Sequence, residues 1–133
     1  MAQLKLILLD FDGTLVDTKD ANADAYIEAL AEVGVDIDKN LYLERYFGMR
    51  CIEFMRCVGI KSDEEIKAVR RRKIELYPNY FHTVRLNAPL WGWCQMMRSL
   101  GVKVWVVSTG HIDNITNVMR YLNIDSGVDG IIS

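Results

Sequence analysis

Residues 4–14, Leu-Lys-Leu-Ile-Leu-Leu-Asp-Phe-Asp-Gly-Thr, decide the fold of this chain. The stretch begins as a short aliphatic run and ends in an acidic turn that contains a glycine. A run of this length with apolar residues on both faces is typical of a strand buried in a parallel sheet. We therefore expect a first strand that is covered on both faces.

Two further strands are predicted near the end of the chain. Residues 102–107 and 128–133 are rich in Val and Ile, and helical patterns over 90–100 and 112–122 lie next to them. Alternating strands and helices indicate a parallel sheet with helices packed against it. The predicted fold class is therefore α/β, with a core of three parallel strands.

The first crossover is unusually long. About 90 residues separate Asp10 from Val102, whereas a simple βαβ unit takes roughly 30. The surplus, 16–87, contains no strand candidate, and helices are expected over 21–33, 41–47, 51–58, 63–76 and 79–84. We interpret 16–87 as an inserted helical domain, and 1–15 with 88–133 as the core. Because such sheets bind ligands at the carboxyl ends of their strands, the insertion is expected to lie over that site as a lid.

The composition excludes several classes of protein. Half of the 133 residues are apolar and 26% are charged, which favours a globular domain. The net charge of −2 gives no basic excess for nucleic acid or an anionic membrane, and no early apolar run could span a bilayer. Three cysteines are too few for a disulfide scaffold and suit a reducing compartment. We expect a soluble cytoplasmic protein that binds neither nucleic acid nor membrane.

Two conspicuous groups of side chains are expected to be structural. The basic cluster at 70–73, Arg-Arg-Arg-Lys, is interpreted as a solvated helix face because the overall charge is negative. The three tryptophans, Trp91, Trp93 and Trp105, are expected in the core.

Asp10 and Asp12 are the first candidates for chemistry. They lie close together at the carboxyl end of the first strand, and neighbouring like charges are costly without a cation. Carboxylate oxygens suit Mg²⁺, and a carboxylate can also act as a nucleophile that forms an aspartyl-phosphate. Gly13 allows a tight turn, after which free backbone N–H groups around Thr14 can bind an anion. A solvated acidic turn is the alternative interpretation of an isolated Asp-x-Asp-Gly.

The longer string over residues 10–18, Asp-Phe-Asp-Gly-Thr-Leu-Val-Asp-Thr, resembles the first signature motif of the haloacid dehalogenase superfamily of phosphotransferases. The resemblance implies a Rossmann-like core in which Asp10 is the nucleophile and a Mg²⁺ ligand. It also implies that Asp12 is the general acid and base and a second ligand of the metal, through its backbone carbonyl. True dehalogenases of this superfamily lack the second Asp, so its presence implies a phosphate substrate.

The family's second motif, a Ser or Thr that ends the second core strand, is matched by the string Ser108-Thr109-Gly110. The resemblance implies that the hydroxyl and the backbone N–H of Ser108 hold the phosphoryl group, with Thr109 as the alternative. Taken alone, Ser-Thr-Gly after a strand is most simply a turn.

The inserted helices resemble the cap of the branch that includes phosphoglycolate phosphatases and β-phosphoglucomutase. Residues 46–50, Tyr-Phe-Gly-Met-Arg, resemble the cap's specificity loop, in which Gly48 permits close approach and Arg50 could reach a substrate anion. A solvated surface charge is an equal alternative for Arg50. Mutases of this branch usually carry a His where this chain has Asn22, which favours a phosphatase.

The resemblance covers only the amino-terminal portion of the family's pattern. A Lys and a pair of acidic residues normally follow the third strand, and the sequence matches neither; Lys103 and Asp129 lie at the opposite ends of their strands. Three functions stay open. They are a Mg²⁺-dependent phosphatase acting on a small phosphorylated metabolite, a sugar-phosphate mutase, and a non-catalytic fragment that binds phosphate or a partner.

The predicted sheet also has an open side. The first strand would pair only with residues 102–107, which leaves its other edge without a partner. Such an edge is a template for pairing with another chain, and Lys5 is the only charge along it. We therefore expect self-association through this edge, or poor solubility.

Overall fold

A computed structural model of the protein describes residues 3–133. The chain folds into two compact units. The sheet unit consists of the residues up to Asp17 together with Arg85–Ser133, and the inserted unit is Thr18–Val84. The insertion predicted from the sequence, 16–87, also contains a few residues on either side that belong to the sheet unit.

Strands and helices alternate in the sheet unit, whereas the inserted unit is helical. In chain order, the strands are β1 (Leu6–Asp10), β2 (Val16–Asp17), β3 (Arg85–Leu86), β4 (Lys103–Val107) and β5 (Gly130–Ile132). The α-helices are α1 (Lys19–Ala31), α2 (Lys39–Leu41), α3 (Cys51–Cys57), α4 (Asp63–Leu76), α5 (Ala88–Ser99) and α6 (Ile112–Tyr121). A π-helical segment, Tyr42–Tyr46, continues α2, and 3₁₀ segments follow α4 at Tyr77–Thr83 and α6 at Asp125–Gly127. Among residues 3–133, no helix combines the length and the hydrophobicity needed to cross a membrane.

Three parallel strands form the main sheet in the order β1-β4-β5. This confirms the α/β core predicted from the sequence, with β1 at an edge. The register of β1 with β4 places Asp10 beside Val107, and Ser108 follows directly. The Asp10 motif and the Ser108 motif therefore meet at the carboxyl ends of the parallel strands.

Among residues 3–133, helices cover one face of this sheet. Both crossovers advance in the same direction, from β1 to β4 to β5, so right-handed connections place α5 and α6 on the same face. The covered face contains Leu9 and Val104, which are buried, whereas Leu6 and Leu8 on the other face are 48% and 59% exposed. The expectation that the first strand is covered on both faces is therefore wrong. An aliphatic run makes both faces apolar, but the direction of the crossovers decides which face receives helices.

A second, two-stranded sheet lies where the insertion begins and ends. β2 and β3 pair antiparallel, with Val16 beside Leu86 and Asp17 beside Arg85. The prediction that 16–87 contains no strand is therefore wrong, because strands of two residues are too short to show an alternating pattern. This ribbon brings the two segments that border the insertion side by side.

The inserted unit is a helical bundle around an aromatic core. The Phe54 ring lies 5.1 Å from that of Tyr26 and 5.3 Å from that of Tyr42, between ring centroids. Both pairs are edge-to-face, an arrangement that aromatic rings prefer. The bundle therefore has a hydrophobic core of its own.

Lys73 departs from the expected solvated basic face. It is 2% exposed, because it lies on the same face of α4 as the buried Ile66 and Val69. Its ammonium donates a hydrogen bond to Asn22 Oδ1 at 2.8 Å and lies 3.8 Å from the centroid of the Tyr77 ring. The interpretation of 70–73 as a solvated cluster is thus wrong for its last residue.

The tryptophans lie in different surroundings. Trp93 is 43% exposed, so its expected place in the core is wrong. Trp91 and Trp105 lie against glycines: a Cβ at Gly127 or Gly130 would come within 2.2 Å of the Trp91 or the Trp105 ring, respectively. These two indoles therefore require glycine beside them.

Candidate active site

Asp10 is the last residue of β1 and is exposed. Its Oδ1 accepts a hydrogen bond from the Phe11 N–H at 3.0 Å. Its Oδ2 has only a longer contact of 3.4 Å with the Thr14 hydroxyl. Oδ2 is therefore the carboxylate oxygen more available to a ligand.

The turn after Asp10 is held to the core by apolar residues, and it contains a glycine that allows its backbone to turn tightly. Phe11 and Leu15 are 1% and 0% exposed, so the apolar residues of the motif hold it to the core. Gly13 has a φ of +84°, a conformation that favours glycine.

The backbone N–H groups of this turn were expected to be free for an anion. The Gly13 N–H instead donates to the Val16 carbonyl at 2.8 Å, and the Thr14 N–H donates to the Phe11 carbonyl at 3.3 Å. These two donors hold the turn together. Any anion at this site must therefore find other hydrogen-bond donors.

Asn87 supports the same turn from the start of α5, a role that was not predicted from the sequence. Its N–H donates to the Leu15 carbonyl at 2.8 Å and its Nδ2 to the Thr14 carbonyl at 3.4 Å. Its Oδ1 accepts a hydrogen bond from the Leu90 N–H at 3.3 Å and caps α5. An Asn before Ala-Pro is a recognisable helix start, but no local pattern indicates that this residue also holds a distant turn.

Ser108 follows β4, beside the end of β1. Its N–H, implied as a phosphate ligand, donates instead to the Ile132 carbonyl at 2.9 Å. Its Oγ accepts a hydrogen bond from the Gly110 N–H at 3.0 Å. Because that bond uses only a lone pair of the oxygen, the hydroxyl hydrogen can still be donated to an anion.

Gly110 lies where Asp12 and Ser108 converge. A Cβ at this position would be 3.2 Å from Ser108 Oγ and 3.3 Å from Asp12 Oδ2. The φ of Gly110 is outside the left-handed region, so its backbone conformation does not require glycine. A side chain here would require Ser108 or Asp12 to shift by a few tenths of an ångström, because two polar side chains from two strand ends share this small area.

Thr109 and His111 are the neighbours of Ser108 and Gly110 in the chain. Thr109, the alternative to Ser108, is exposed. His111 precedes α6, and its Nδ1 accepts a hydrogen bond from the Asp113 N–H at 3.1 Å. A neutral imidazole can make that bond, so His111 caps the helix that follows the second motif.

The donor set beside Asp10 fits a hard cation that takes few protein ligands. Asp10 offers a carboxylate oxygen and Asp12 a backbone carbonyl oxygen from one turn, and oxygen ligands of this kind suit Mg²⁺. Across residues 3–133, no group of three or more His, Cys, Asp or Glu side chains is placed to hold a metal ion. The residues present therefore fit Mg²⁺ with most of its coordination sphere left to water and substrate.

Asp129 directly precedes β5, as its position in the sequence predicts. It therefore lies at the amino ends of the strands, away from Asp10 and Ser108. Its Oδ2 accepts a hydrogen bond from the Val104 N–H at 2.7 Å, and its Oδ1 lies 3.3 Å from the Arg98 guanidinium. The Val104 N–H and the Arg98 charge lower the pKa of this carboxyl. These contacts make Asp129 a structural residue.

The two predicted specificity residues belong to the inserted unit. Gly48 has a φ of +87°, and no atom lies within 4 Å of the position that its Cβ would take. Arg50 directly precedes α3 and is exposed. Both positions are open to a ligand, and their roles stay predictions.

Solved structures of the same fold are aligned with nearly the whole chain. A predicted phosphatase from Clostridium acetobutylicum has a TM-score of 0.81 at 14% identity, covering 98% of this chain and 61% of its own. A predicted phosphoglycolate phosphatase from Haemophilus somnus has a TM-score of 0.76 at 20% identity, covering 99% and 63%. A hydrolase from Pseudomonas syringae has a TM-score of 0.76 at 22% identity, covering 98% and 59%. At these identities the likeness shows the fold, and this chain spans less than two thirds of each of those chains.

Sequence comparison identifies the family. No curated protein matches the chain, but the sequence model of one family matches residues 7–133 and is described as haloacid dehalogenase-like hydrolase. The match includes the Asp10 turn, the whole inserted unit and Ser108. It is the family that the string at residues 10–18 implies. The chain therefore belongs to the haloacid dehalogenase-like hydrolases.

Proposed function

We propose that the protein hydrolyses a phosphate monoester of a small metabolite through an aspartyl-phosphate on Asp10. The observation that carries this proposal is the meeting of Asp12 and Ser108 at Gly110, at the same sheet edge as the exposed Asp10. A nucleophile, a proton donor and a hydroxyl that can hold an anion thus come from two adjacent strand ends. The family match supports hydrolysis, and two of the solved structures are named as predicted phosphatases.

The proposed reaction has two steps. In the first, Asp10 Oδ2 attacks phosphorus, the P–O bond to the leaving group breaks, and protonated Asp12 gives its proton to the leaving oxygen. In the second, water attacks the phosphorus of the acyl phosphate and gives a proton to Asp12. The products are the alcohol, inorganic phosphate and the original Asp10 carboxylate, so atoms and charges balance.

The phosphoryl group is proposed to be held by side chains rather than by the turn amides, which are engaged. The Ser108 hydroxyl donates to a phosphoryl oxygen, with its Oγ fixed by the Gly110 N–H. Asp10 and Asp12 would hold Mg²⁺, and the bound cation supplies positive charge for the transferring group. Arg50 of the inserted unit is proposed to help select the leaving group.

Asn22 supports a phosphatase over a mutase. Its Nδ2 donates to the Thr18 carbonyl at 3.0 Å and contacts the Tyr77 hydroxyl at 3.1 Å, and its Oδ1 accepts from Lys73. An amide cannot act as an acid or base in the way that a histidine can. At this position the chain has a structural residue.

A test of this proposal is turnover of a generic aryl phosphate by the purified chain, with and without Mg²⁺. We expect Asp10→Asn to abolish both turnover and the covalent phosphoenzyme seen by mass spectrometry after acid quench, because an amide is not a competent nucleophile. Asp125→Asn, which removes an exposed carboxylate from the 3₁₀ segment after α6, is the matched control and should retain activity.

Asp12→Asn separates the two carboxylates. The phosphoenzyme should still form, but both steps lose their proton transfer, so turnover should fall by about 10²–10⁴-fold. Equal, small effects of the two substitutions would contradict the assigned roles. Phosphate binding without turnover would favour a non-catalytic module, and turnover that requires a sugar bisphosphate would favour a mutase.

A further inference from the structure

The site where Ser108 meets the Asp10 turn has few hydrogen-bond donors left for a phosphoryl group. The N–H groups of Gly13 and Thr14 close their own turn, and the Ser108 N–H donates to a carbonyl of β5. The Gly110 N–H is also engaged, because it donates to Ser108 Oγ at 3.0 Å. Since a phosphoryl group presents three strong acceptor oxygens, the Ser108 hydroxyl alone does not satisfy it.

His111, the next residue along the chain, carries a further donor. Its Nδ1 accepts a hydrogen bond from the Asp113 N–H at 3.1 Å, so this nitrogen has a lone pair and no hydrogen. The Asp113 carboxylate does not reverse the assignment, because its Oδ2 lies 3.6 Å from Nδ1, beyond hydrogen-bond distance. In a neutral imidazole the hydrogen is then on Nε2. The helix cap therefore fixes the tautomer and makes Nε2–H a donor.

This Nε2–H group is available to a ligand. Among residues 3–133, no acceptor is bonded to it, and the His111 side chain is 31% exposed. The two ring nitrogens point in diverging directions, so Nε2–H points away from the first turn of α6 while Nδ1 caps it. Consecutive Cα atoms are about 3.8 Å apart, and Gly110 lies where Ser108 Oγ and Asp12 Oδ2 converge. The ring of His111 thus begins beside the site.

We propose that His111 is a further phosphate-binding residue, whose Nε2–H donates to an oxygen of the phosphoryl group beside the Ser108 hydroxyl. This inference rests on the proposed function, because it takes a phosphoryl group as the ligand of the site. One nitrogen of the ring holds the start of α6 and the other holds the anion. The cap thereby positions the donor before the anion binds, which lowers the cost of ordering it.

NMR chemical shifts of the imidazole nitrogens test the tautomer and the contact. In the neutral ring of His111, Nε2 should have the shift of a protonated nitrogen and Nδ1 that of an unprotonated one. Titration with inorganic phosphate should then move the Nε2 resonance of His111 and leave the ring of His82, the other histidine of the chain, unchanged. A hydrogen on Nδ1, or a His111 ring that does not respond to phosphate, would overturn the inference.

Two substitutions separate the anion contact from the helix cap. Asn is a favoured N-cap residue, so His111→Asn should keep the melting temperature while it removes the Nε2 donor. His111→Ala removes both functions and should lower the melting temperature. Both variants should raise the dissociation constant of inorganic phosphate by about tenfold, because each loses a hydrogen bond to a charged oxygen. His82→Asn, an exposed histidine of the inserted unit, is the matched control and should change neither quantity.

The outcomes distinguish this inference from the proposed hydrolysis. Unchanged phosphate affinity and an unchanged KM for an aryl phosphate in His111→Asn would refute the role of His111 and leave the hydrolysis intact. Phosphate binding that depends on His111, in a chain without turnover, would support the contact and refute the hydrolysis.

Discussion

At Gly110, the space that a Cβ would fill lies between the Ser108 hydroxyl and the Asp12 carboxylate. Contacts of 3.2 and 3.3 Å are too short for an added methyl group, so at least one of these groups would have to move by a few tenths of an ångström. A displacement of this size leaves the fold intact. It is large enough, however, to disturb the distances on which proton transfer and anion binding depend. The site therefore depends on a position that makes no side-chain contact itself.

Gly110→Ala is expected to lower turnover about ten- to a hundredfold through misplacement of Asp12 and Ser108. Thermal stability should not fall, because the backbone at Gly110 is not in the left-handed region. The control is Gly92→Ala in α5, where no atom lies within 4 Å of the new Cβ. That substitution should stabilise the helix by roughly 1 kcal/mol and leave turnover unchanged; loss of activity in both variants would contradict the role of Gly110.

For single residues, the sequence identifies the candidates for the site, but it does not indicate their hydrogen bonds. Asp10, Asp12 and Ser108 are recognisable because the motifs follow strands directly. The engagement of the Ser108 N–H by Ile132 depends on the pairing with β5 and has no local signal. The same holds for Asn87, whose contacts with Leu15 and Thr14 join segments that are distant in the chain.

Between elements, a phenol and a carboxylate connect α1 to the 3₁₀ segment Tyr77–Thr83. The Tyr80 hydroxyl donates to Glu28 Oε2 at 2.5 Å. This hydrogen bond, with burial and the Glu28 charge, raises the pKa of Tyr80 to about 12. Only the protonated phenol can donate, so the contact stabilises the inserted unit while Tyr80 is neutral.

Tyr80→Phe is expected to lower the free energy of unfolding by about 1 kcal/mol at neutral pH, the contribution of one hydrogen bond. Because the folded pKa of Tyr80 is raised, its contribution is complete below the ordinary phenol pKa near 10 and is lost as pH rises towards about 12. Urea unfolding over this range should show wild type and variant converging. Tyr46→Phe, a phenol outside this pair, is the control, and a constant difference up to the highest pH would contradict the assignment.

The ends of helices were predictable where capping residues or prolines mark them. Which face of the sheet is buried was not predictable. Ser62 caps α4 and Pro89 lies in the first turn of α5, and both signals are visible in the sequence. The π-helical segment after α2 and the two-residue strands carry no such signal. The uncovered face of β1 follows from the order and handedness of the connections, which composition does not contain.

For the whole molecule, the proposed Mg²⁺ affinity depends on how many protein oxygens the fold brings to one place. The Asp10 turn supplies two, the Asp10 carboxylate and the Asp12 backbone carbonyl, and no cluster of three metal-ligating side chains exists among residues 3–133. The chain spans 59–63% of the length of the solved structures compared with it.

Calorimetry of the chain with Mg²⁺ is expected to show binding weaker than micromolar, because two protein ligand groups leave most of the coordination sphere to water. Asp10→Asn should abolish the remaining heat, and Asp125→Asn should not. Micromolar or tighter binding by the wild-type chain would show that further ligands reach the cation.

The β2–β3 ribbon makes the inserted unit easy to exchange for another domain. Since Val16 lies beside Leu86, the chain leaves the sheet unit and returns to it at neighbouring points. The entropic cost of closing a loop between Asp17 and Arg85 grows only slowly with the length of the loop. The ribbon therefore tolerates insertions of different lengths. Evolution could replace the helices between Asp17 and Arg85 while keeping the turn at Asp10 intact, and an engineer could graft a different domain at the same two residues.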